Sequence, residues 1–467
     1  MNIKWFKGKR ITVFGIGLLG GGIGTIRFLV ENGARVIATD IKDRKSLAPS
    51  LEQLKDLKNI EFILGQHRRE DFAKVDMVIK TPQVPWTNKH IKLALENKIP
   101  VEVDSSLFFK LCKNPIIGIT GTKGKTTTSH LIHHILKKSG KNPVKVGIGQ
   151  TPVLNRLNLL KKNSVVVFEL SSWRLSALAN AKISPQISVF TNFFPDHMNY
   201  YKTKEAYLAD KKNIFLHQKS KNWLVCNCDD PVIGDFCDNS PGNVMAISMN
   251  KRSEGRSVFF QNEKIYLNDG IDSKELLDID ELPLLGIHNI ANGMLAIGVC
   301  FAYGVSSKKI KSAIKSFRSI SHRLEFVTEK SGVKYYNDTA ATNPQSALAA
   351  LNTFSEPIIL IAGGNDKKLP YKEFAEAISQ KVKGVVFIKG NATDKIVKYI
   401  RKYLTEKGCE CQKSFEIVDS MDKAVELASR SADEGDVVLL SPGASSFGVF
   451  SNEFDRGNQF KYAVKNL

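Results

Sequence analysis

At 467 residues the chain is longer than one hydrophobic core ordinarily supports, so two to four domains are expected. An apolar share of 42% and a charged share of 24% exclude a largely disordered chain and a membrane protein. The excess of 67 Lys+Arg over 47 Asp+Glu, a formal +20, favours polyanionic partners, but the lysines are scattered in ones and twos and build no nucleic-acid module, so no nucleic-acid partner is expected.

Residues 11–14 follow Lys4, Lys7, Lys9 and Arg10 and superficially imitate a secretion signal. Their continuation, Gly15-Ile-Gly17-Leu18-Leu-Gly20, reads instead as a strand entering a glycine turn. No other apolar run is long enough to span a bilayer, and a cytoplasmic location without membrane insertion is expected. Seven scattered cysteines form no disulfide framework and fit a reducing compartment. Cys226-x-Cys228 and Cys409-x-Cys411 have a tighter gap than zinc-site spacing and read as buried or incidental thiols.

A second strand at residues 35–39 delivers Asp40, so the turn and the acid together satisfy the dinucleotide fingerprint. That pattern describes a diphosphate and a ribose, and a nucleotide-sugar diphosphate fits it as well as NAD does. A strand at residues 75–79 continues this first unit, which spans residues 1–113 and ends ahead of Asn114-Pro115.

The second unit, residues 114–317, opens on a strand at 116–120 and turns at Gly121-Thr122-Lys123-Gly124-Lys125-Thr126. Backbone N–H groups at a helix N-terminus welcome phosphate, Lys125 can neutralise charge that grows during transfer, and the Thr126 hydroxyl can face Mg²⁺. The loop is shorter than the general P-loop, which wants a glycine where Ile119 stands. In the helix that follows, Leu131, Ile132, Ile135 and Leu136 recur at helical spacing, and His130, His133 and His134 read as surface or packing residues. Strands at 165–168 and 187–190 deliver Glu169 and then Thr191, Asn192, Asp196 and His197, with Lys211 downstream. Polar groups thus gather at strand carboxyl ends, where α/β sites form, and Glu169 and His197 are natural ligands on the Mg²⁺ side. Residues 253–280 read as a small β excursion, and a helix starts from about residue 285. The third unit, residues 318–467, carries strands at 333–336, 357–362, 384–388 and 436–440, with helical stretches at 371–379 and 421–429. The expected fold is α/β in three domains: Rossmann-like, P-loop ATPase-type, and Rossmann-like again.

Taken in order, the motifs resemble the Mur ligases, ATP-dependent amide ligases of peptidoglycan precursor synthesis, and among them the glutamate-adding branch. The matching strings are Gly118-Ile-Thr-Gly-Thr-Lys-Gly-Lys-Thr-Thr127, Glu169-Leu-Ser-Ser172, Asp196-His197-Met198, Tyr207-Leu-Ala-Asp-Lys211, His288-Asn-Ile-Ala-Asn292, Ser321-His-Arg323, Asn337-Asp338 through Thr342-Asn343, Gly363-Gly-Asn-Asp-Lys367, and Ser441-Pro-Gly-Ala-Ser-Ser446 leading to Phe454-Asp-Arg-Gly457. They cover nearly the whole chain, and the shortened phosphate loop is the form this family uses.

The resemblance implies that a substrate carboxylate attacks the ATP γ-phosphate and that glutamate's amine displaces phosphate from the acyl phosphate. ATP would rest on Gly121, Thr122, Lys123, Gly124, Lys125, Thr126 and Thr127, with Asn292, His322, Arg323 and Asp338 around adenine and ribose. Two Mg²⁺ are implied, one held by Thr126 and Glu169, the other by His197 and a carbamylated Lys211, with Lys125, Glu169, His197 and Lys211 as the catalytic set. Gly15, Gly17, Leu18, Gly20 and Asp40 would hold the uridine diphosphate of UDP-N-acetylmuramoyl-L-alanine. Thr342, Lys367, Ser446 and Phe454 would hold glutamate. A monomer is expected, with closure of the third domain assembling the site.

Four positions depart from the family pattern. Ala340 stands where a cation is usual, Gly147-Ile-Gly-Gln150 stands where Gly-Asn-Ile-Gly is usual and so loses an asparagine, Asn199 follows Asp196-His197-Met198 in place of Asp, and Gln83 stands where glycine is usual. Ala340 leaves D- and L-glutamate both open. A folylpolyglutamate-type ligase is opposed by the full N-terminal unit, and a non-catalytic nucleotide-binding module by intact Lys125, Glu169, His197 and Lys211.

Overall fold

The computed structural model describes residues 1–18, 20–149, 151–198, 200–251, 255–318, 320–408 and 415–467. Gln150, Asn199, Cys409 and Cys411 therefore lie outside the described residues. The chain forms two compact units, Met1–Leu282 with Ile290–Phe317, and Pro283–Asn289 with Arg318–Leu467. Among the described residues no helix is long and apolar enough to cross a membrane.

The first unit contains two sheets. β1 (Arg10–Phe14), β2 (Arg35–Asp40), β3 (Ile60–Leu64), β4 (Met77–Lys80) and β5 (Val101–Glu102) run parallel in the order β3-β2-β1-β4-β5. β1 and β2 are buried on both faces after their first residue, as a parallel sheet covered by helices on both sides requires. The strand order reverses at β1, so a crevice opens at its carboxyl end, where the glycine turn lies.

The second sheet holds β6 (Ile116–Thr120), β7 (Asn142–Val146), β8 (Ser164–Glu169), β9 (Ile187–Phe190), β10 (Trp223–Asn227), β11 (Asn243–Ser248), β12 (Ser257–Gln261), β13 (Lys264–Asn268) and β14 (Ser273–Asp278). Their order is β14-β13-β12-β11-β10-β9-β6-β8-β7. β6 lies between β8 and β9, parallel to both, so Glu169 and Thr191 emerge beside the phosphate loop. The antiparallel β12–β13–β14 meander is the β excursion expected from composition.

The second unit carries β15 (Glu325–Lys330), β16 (Val333–Asn337), β17 (Ile358–Gly363), β18 (Val382–Ile388), β19 (Glu416–Val418) and β20 (Val437–Leu440), in the order β15-β16-β20-β17-β18-β19. Only β15–β16 is antiparallel. Arg456 is fully buried here; its Nε donates to Thr339 Oγ1 at 2.9 Å, Nη2 to Thr339 O at 2.9 Å and Nη1 to Ala444 O at 3.2 Å. Arg456→Ala strips these acceptors of a buried donor, and urea unfolding is expected to show a loss of about 3 kcal/mol. A loss under about 0.5 kcal/mol, the level of an ordinary surface change, would refute this role.

One expectation fails in part. The reading from spacing left Cys226 and Cys228 as buried or incidental thiols; Cys226 is a buried thiol, but Cys228 forms a disulfide with Cys237. Cys237 arrives from the helix Pro231–Asn239, a proximity that linear spacing does not show.

Candidate functional site

The phosphate loop turns through two left-handed glycines. Gly121 has φ +142° and Gly124 φ +81°, and a Cβ on Gly121 would stand 1.9 Å from Thr191 Oγ1. A Cβ on Gly124 would stand 2.3 Å from Asn292 Oδ1, so no larger residue fits either position without displacement. Gly124 is the N-cap of the helix Lys125–Lys138, whose first-turn N–H groups lack intrahelical acceptors. Lys125 folds back over the loop, its Nζ donating to Gly121 O and Thr122 O, both at 3.0 Å.

Asn192, on the segment after β9, clamps the loop. It accepts from Thr122 N–H on its carbonyl (3.0 Å) and from Lys123 N–H on Oδ1 (2.8 Å). Thr122 and Lys123 thus commit their N–H groups to Asn192, and anion contact falls to the first turn of the helix, which includes Thr126 and Thr127.

Glu169 and Thr126 meet at the helix start, the Thr126 hydroxyl donating to Glu169 Oε2 at 3.0 Å. A hydroxyl and a carboxylate are oxygen donors of the kind Mg²⁺ takes, so this pair fits the ion. Lys211, on the helix Lys204–Lys212, is only 1% exposed, and its Nζ donates to Gly121 O at 2.8 Å and lies 4.7 Å from the Tyr207 ring. Burial, reinforced by Lys125, drives its pKa well below the usual lysine range. His197 sits at φ +57° with its ring 4.7 Å from that of Trp173. Burial lowers its pKa, Asp196 opposes, and Lys211, Lys125 and Lys123 add to the lowering, so a neutral imidazole is the favoured form. Asn292, from the helix Ile287–Ala302, accepts from Thr128 Oγ1 at 3.3 Å.

At the first sheet, Asp40 braces the glycine turn. Its Oδ2 accepts from Ile16 N–H (2.9 Å) and Gly17 N–H (3.0 Å), while Gly20 at φ +82° starts the helix Gly21–Glu31 and Leu18 is exposed. Gln83 is exposed on a turn closed by Val84 N–H to Thr81 O at 3.1 Å.

The second unit gathers the remaining residues. Lys367 Nζ lies 3.4 Å from Thr342 Oγ1, and Phe454 packs its ring 5.6 Å from that of His322. Ser446 is buried, whereas Arg323 and Lys367 are exposed. Ala340 N–H donates to His322 O at 3.1 Å. Asp338 accepts from Ser441 Oγ at 2.9 Å and from Leu324 N–H at 3.2 Å.

Burial pushes the Asp338 carboxyl up to about 7 despite those hydrogen bonds. The folded chain then holds one more proton than the unfolded chain between roughly pH 4 and 7. Stability should fall as pH rises through that window and level off above it. In Asp338→Asn this share of the slope disappears, so the urea midpoint of the variant gains on the parent chain between pH 5 and 7.5. Parallel midpoint curves would refute it.

Several further residues carry no role in the sequence reading. Asp230 caps the helix Pro231–Asn239 through Oδ1 and accepts Phe193 N–H on Oδ2 at 3.1 Å; its Asp-Pro string was a legible N-cap signal. Asp210 accepts from the Tyr201 hydroxyl at 2.8 Å, and burial raises its pKa to about 6. Lys80, 1% exposed, donates to Val84 O at 2.8 Å and lies 4.5 Å from the Trp86 ring; burial lowers its pKa to about 8.

Three family models match along the chain: a Mur ligase MurD-like N-terminal domain over residues 9–102, a Mur ligase middle domain over 119–300, and a Mur ligase glutamate ligase domain over 322–443. The UDP-N-acetylmuramoylalanine–D-glutamate ligase of Roseiflexus sp. (strain RS-1) is 38% identical over 467 residues, covering 98% of this chain and 99% of the relative. The ligase of the same name from Clostridium botulinum (strain 657 / Type Ba4) is 36% identical over 463 residues, covering 99% and 98%. The UDP-N-acetylmuramate-alanine ligase MurC of Thermotoga maritima shares the fold at a TM-score of 0.59 and 20% identity, over 98% of this chain and 99% of that one. With its three α/β sheets and these matches along its length, the chain belongs to the Mur ligase family.

Proposed function

We propose that the chain ligates D-glutamate to UDP-N-acetylmuramoyl-L-alanine, converting ATP to ADP and phosphate, in peptidoglycan precursor synthesis. The observation that carries the reading is the pair of lysines, Lys125 and Lys211, that donate to one carbonyl oxygen, Gly121 O, beside Glu169 and Thr126. That arrangement concentrates cationic and metal-ligating groups where phosphoryl charge shifts. Full-length similarity to D-glutamate ligases selects the acceptor.

In the reaction so assigned, an oxygen of the alanyl carboxylate attacks the γ-phosphorus, the bond to the β–γ bridging oxygen breaks, and ADP leaves. Glutamate's uncharged amine then attacks the acyl carbon, phosphate departs, and the nitrogen loses a proton to give the amide. The helix first turn and Lys125 hold the phosphates and offset charge in transit. Thr126 and Glu169 would hold one Mg²⁺, and His197 with a carbamylated Lys211 a second. Mg²⁺ bound there supplies electrostatic neutralisation of the phosphate oxygens.

Asn292, His322, Arg323 and Asp338 are assigned to adenine and ribose, and Thr342, Lys367, Ser446 and Phe454 to glutamate. The Gly15–Gly17–Leu18–Gly20 turn takes the uridine diphosphate, with Asp40 fixing the turn that receives it. The working division is residues 1–113 for the UDP-sugar, 114–317 for ATP and 318–467 for the amino acid, in a cytoplasmic monomer.

The test is phosphate release from ATP with UDP-N-acetylmuramoyl-L-alanine and, in parallel, D-glutamate, L-glutamate, glycine or a diamino acid. Release with D-glutamate alone is expected. Release with neither glutamate enantiomer would overturn the reading, and release with L-glutamate only would reverse the stereochemistry.

A further inference from the structure

Cys226 lies on β10 and Cys228 one residue beyond its end, where its N–H still bonds Ile247 O of β11 at 2.9 Å, so the two-residue spacing brings both side chains toward one face of the sheet. The helix Pro231–Asn239 returns Cys237 to that face. The three Sγ atoms lie within 4.8 Å of one another, with Cys226 Sγ 3.2 Å from Cys237 Sγ and 4.0 Å from Cys228 Sγ. Cys226 is fully buried and the other two are half-buried. The ligand-bearing segments are held in place: Asp230 Oδ1 caps the helix at 2.9 Å from Val232 N–H, and its Oδ2 ties the segment to Phe193. A C-x-C pair alone is a poor metal motif, but a pair at a strand end completed by a helix cysteine is a preorganised three-sulfur set.

We propose that Cys226, Cys228 and Cys237 form a binding site for one thiolate-seeking divalent cation of the Zn²⁺ class, with an open fourth position. Three converging thiolates are the donor set such cations take. The Cys228–Cys237 bridge is the oxidised form of the same site. A phosphine reductant supplies two electrons and water supplies one oxygen and two protons: the S–S bond breaks, the phosphine becomes phosphine oxide, and the two sulfurs leave as thiols. Cation binding then exchanges three S–H protons for three metal–sulfur bonds.

The test uses the full chain, reduced with a phosphine under argon, freed of reductant and titrated with Cd²⁺. One Cd²⁺ per chain is expected, with a thiolate-to-cadmium charge-transfer band. Peptide mapping after iodoacetamide should show Cys226, Cys228 and Cys237 protected by Cd²⁺, while Cys112 labels as before. Cys226→Ser and Cys237→Ser should each weaken Cd²⁺ binding by about tenfold or more. Unchanged labelling of the three cysteines at stoichiometric Cd²⁺ overturns the proposal, as does protection of Cys409 and Cys411 in their place. Labelling of the unsubstituted chain decides the matter even if a serine variant fails to fold.

Discussion

Lys125→Ala is expected to lower kcat for phosphate release by about 10²–10³-fold or more, the usual consequence of removing a preorganised group that meets transition-state charge. The Nζ reaches Gly121 O and Thr122 O at 3.0 Å each, so the ammonium already stands on the loop before any phosphate arrives. Alanine keeps the helix start, because Gly124 supplies the left-handed N-cap and alanine is a good helix former. The fold should therefore survive while chemistry fails, and thermal unfolding of the variant should stay within a few degrees of the parent. Lys125→Arg should rescue little, since a planar guanidinium does not replace a compact ammonium within hydrogen-bond reach of two carbonyls. Single-turnover phosphate release at saturating ATP makes the measurement. A variant with near-parental kcat and a raised KM would show that Lys125 only binds ATP, and would remove it from the catalytic set.

What the sequence made legible follows from locality. Gly121 and Gly124 are read from adjacent positions because the left-handed turn they allow is a local demand. Glu169 and His197 were singled out because strand ends in α/β layers collect polar groups. Asn192, Asp230 and the Tyr201–Asp210 pair act through partners brought near by the sheet order β10-β9-β6-β8 or by helix placement, which no window of sequence displays. β7 escaped because Pro143 breaks the strand signal; it is an edge strand, where a missing N–H is tolerated. β15 escaped because it is mostly half-exposed and its charged residues hide the alternation. Asp40 shows a second part that the spacing did not: its Oδ2 accepts from the amides of Ile16 and Gly17 and so braces the turn. Cys237 could be joined to Cys226 and Cys228 only once the helix Pro231–Asn239 was seen to lie over β10.

Lys211→Ala should lose activity by about 10²-fold or more, and short carboxylates such as formate or acetate should restore part of it. The argument begins with burial. A lysine 1% exposed, with Lys125 adding to its electrostatic cost, is driven toward the neutral amine. A neutral amine is the form that adds CO₂: its lone pair makes the N–C bond, one proton leaves, and a carbamate anion results. That anion offers the hard oxygen donors Mg²⁺ prefers and cancels positive charge beside Lys125. An ammonium at the same place would oppose a cation held by His197, whose own pKa Lys211 already lowers. The parent enzyme should thus lose activity when CO₂ is stripped from the buffer and regain it with bicarbonate, whereas the alanine variant should respond to carboxylates and not to bicarbonate. Lys211→Arg should stay inactive under both conditions, because a guanidinium forms no carbamate. If the alanine variant is inactive and no carboxylate restores it, Lys211 acts instead as a buried cation that holds Gly121 O and shapes the phosphate loop from beneath.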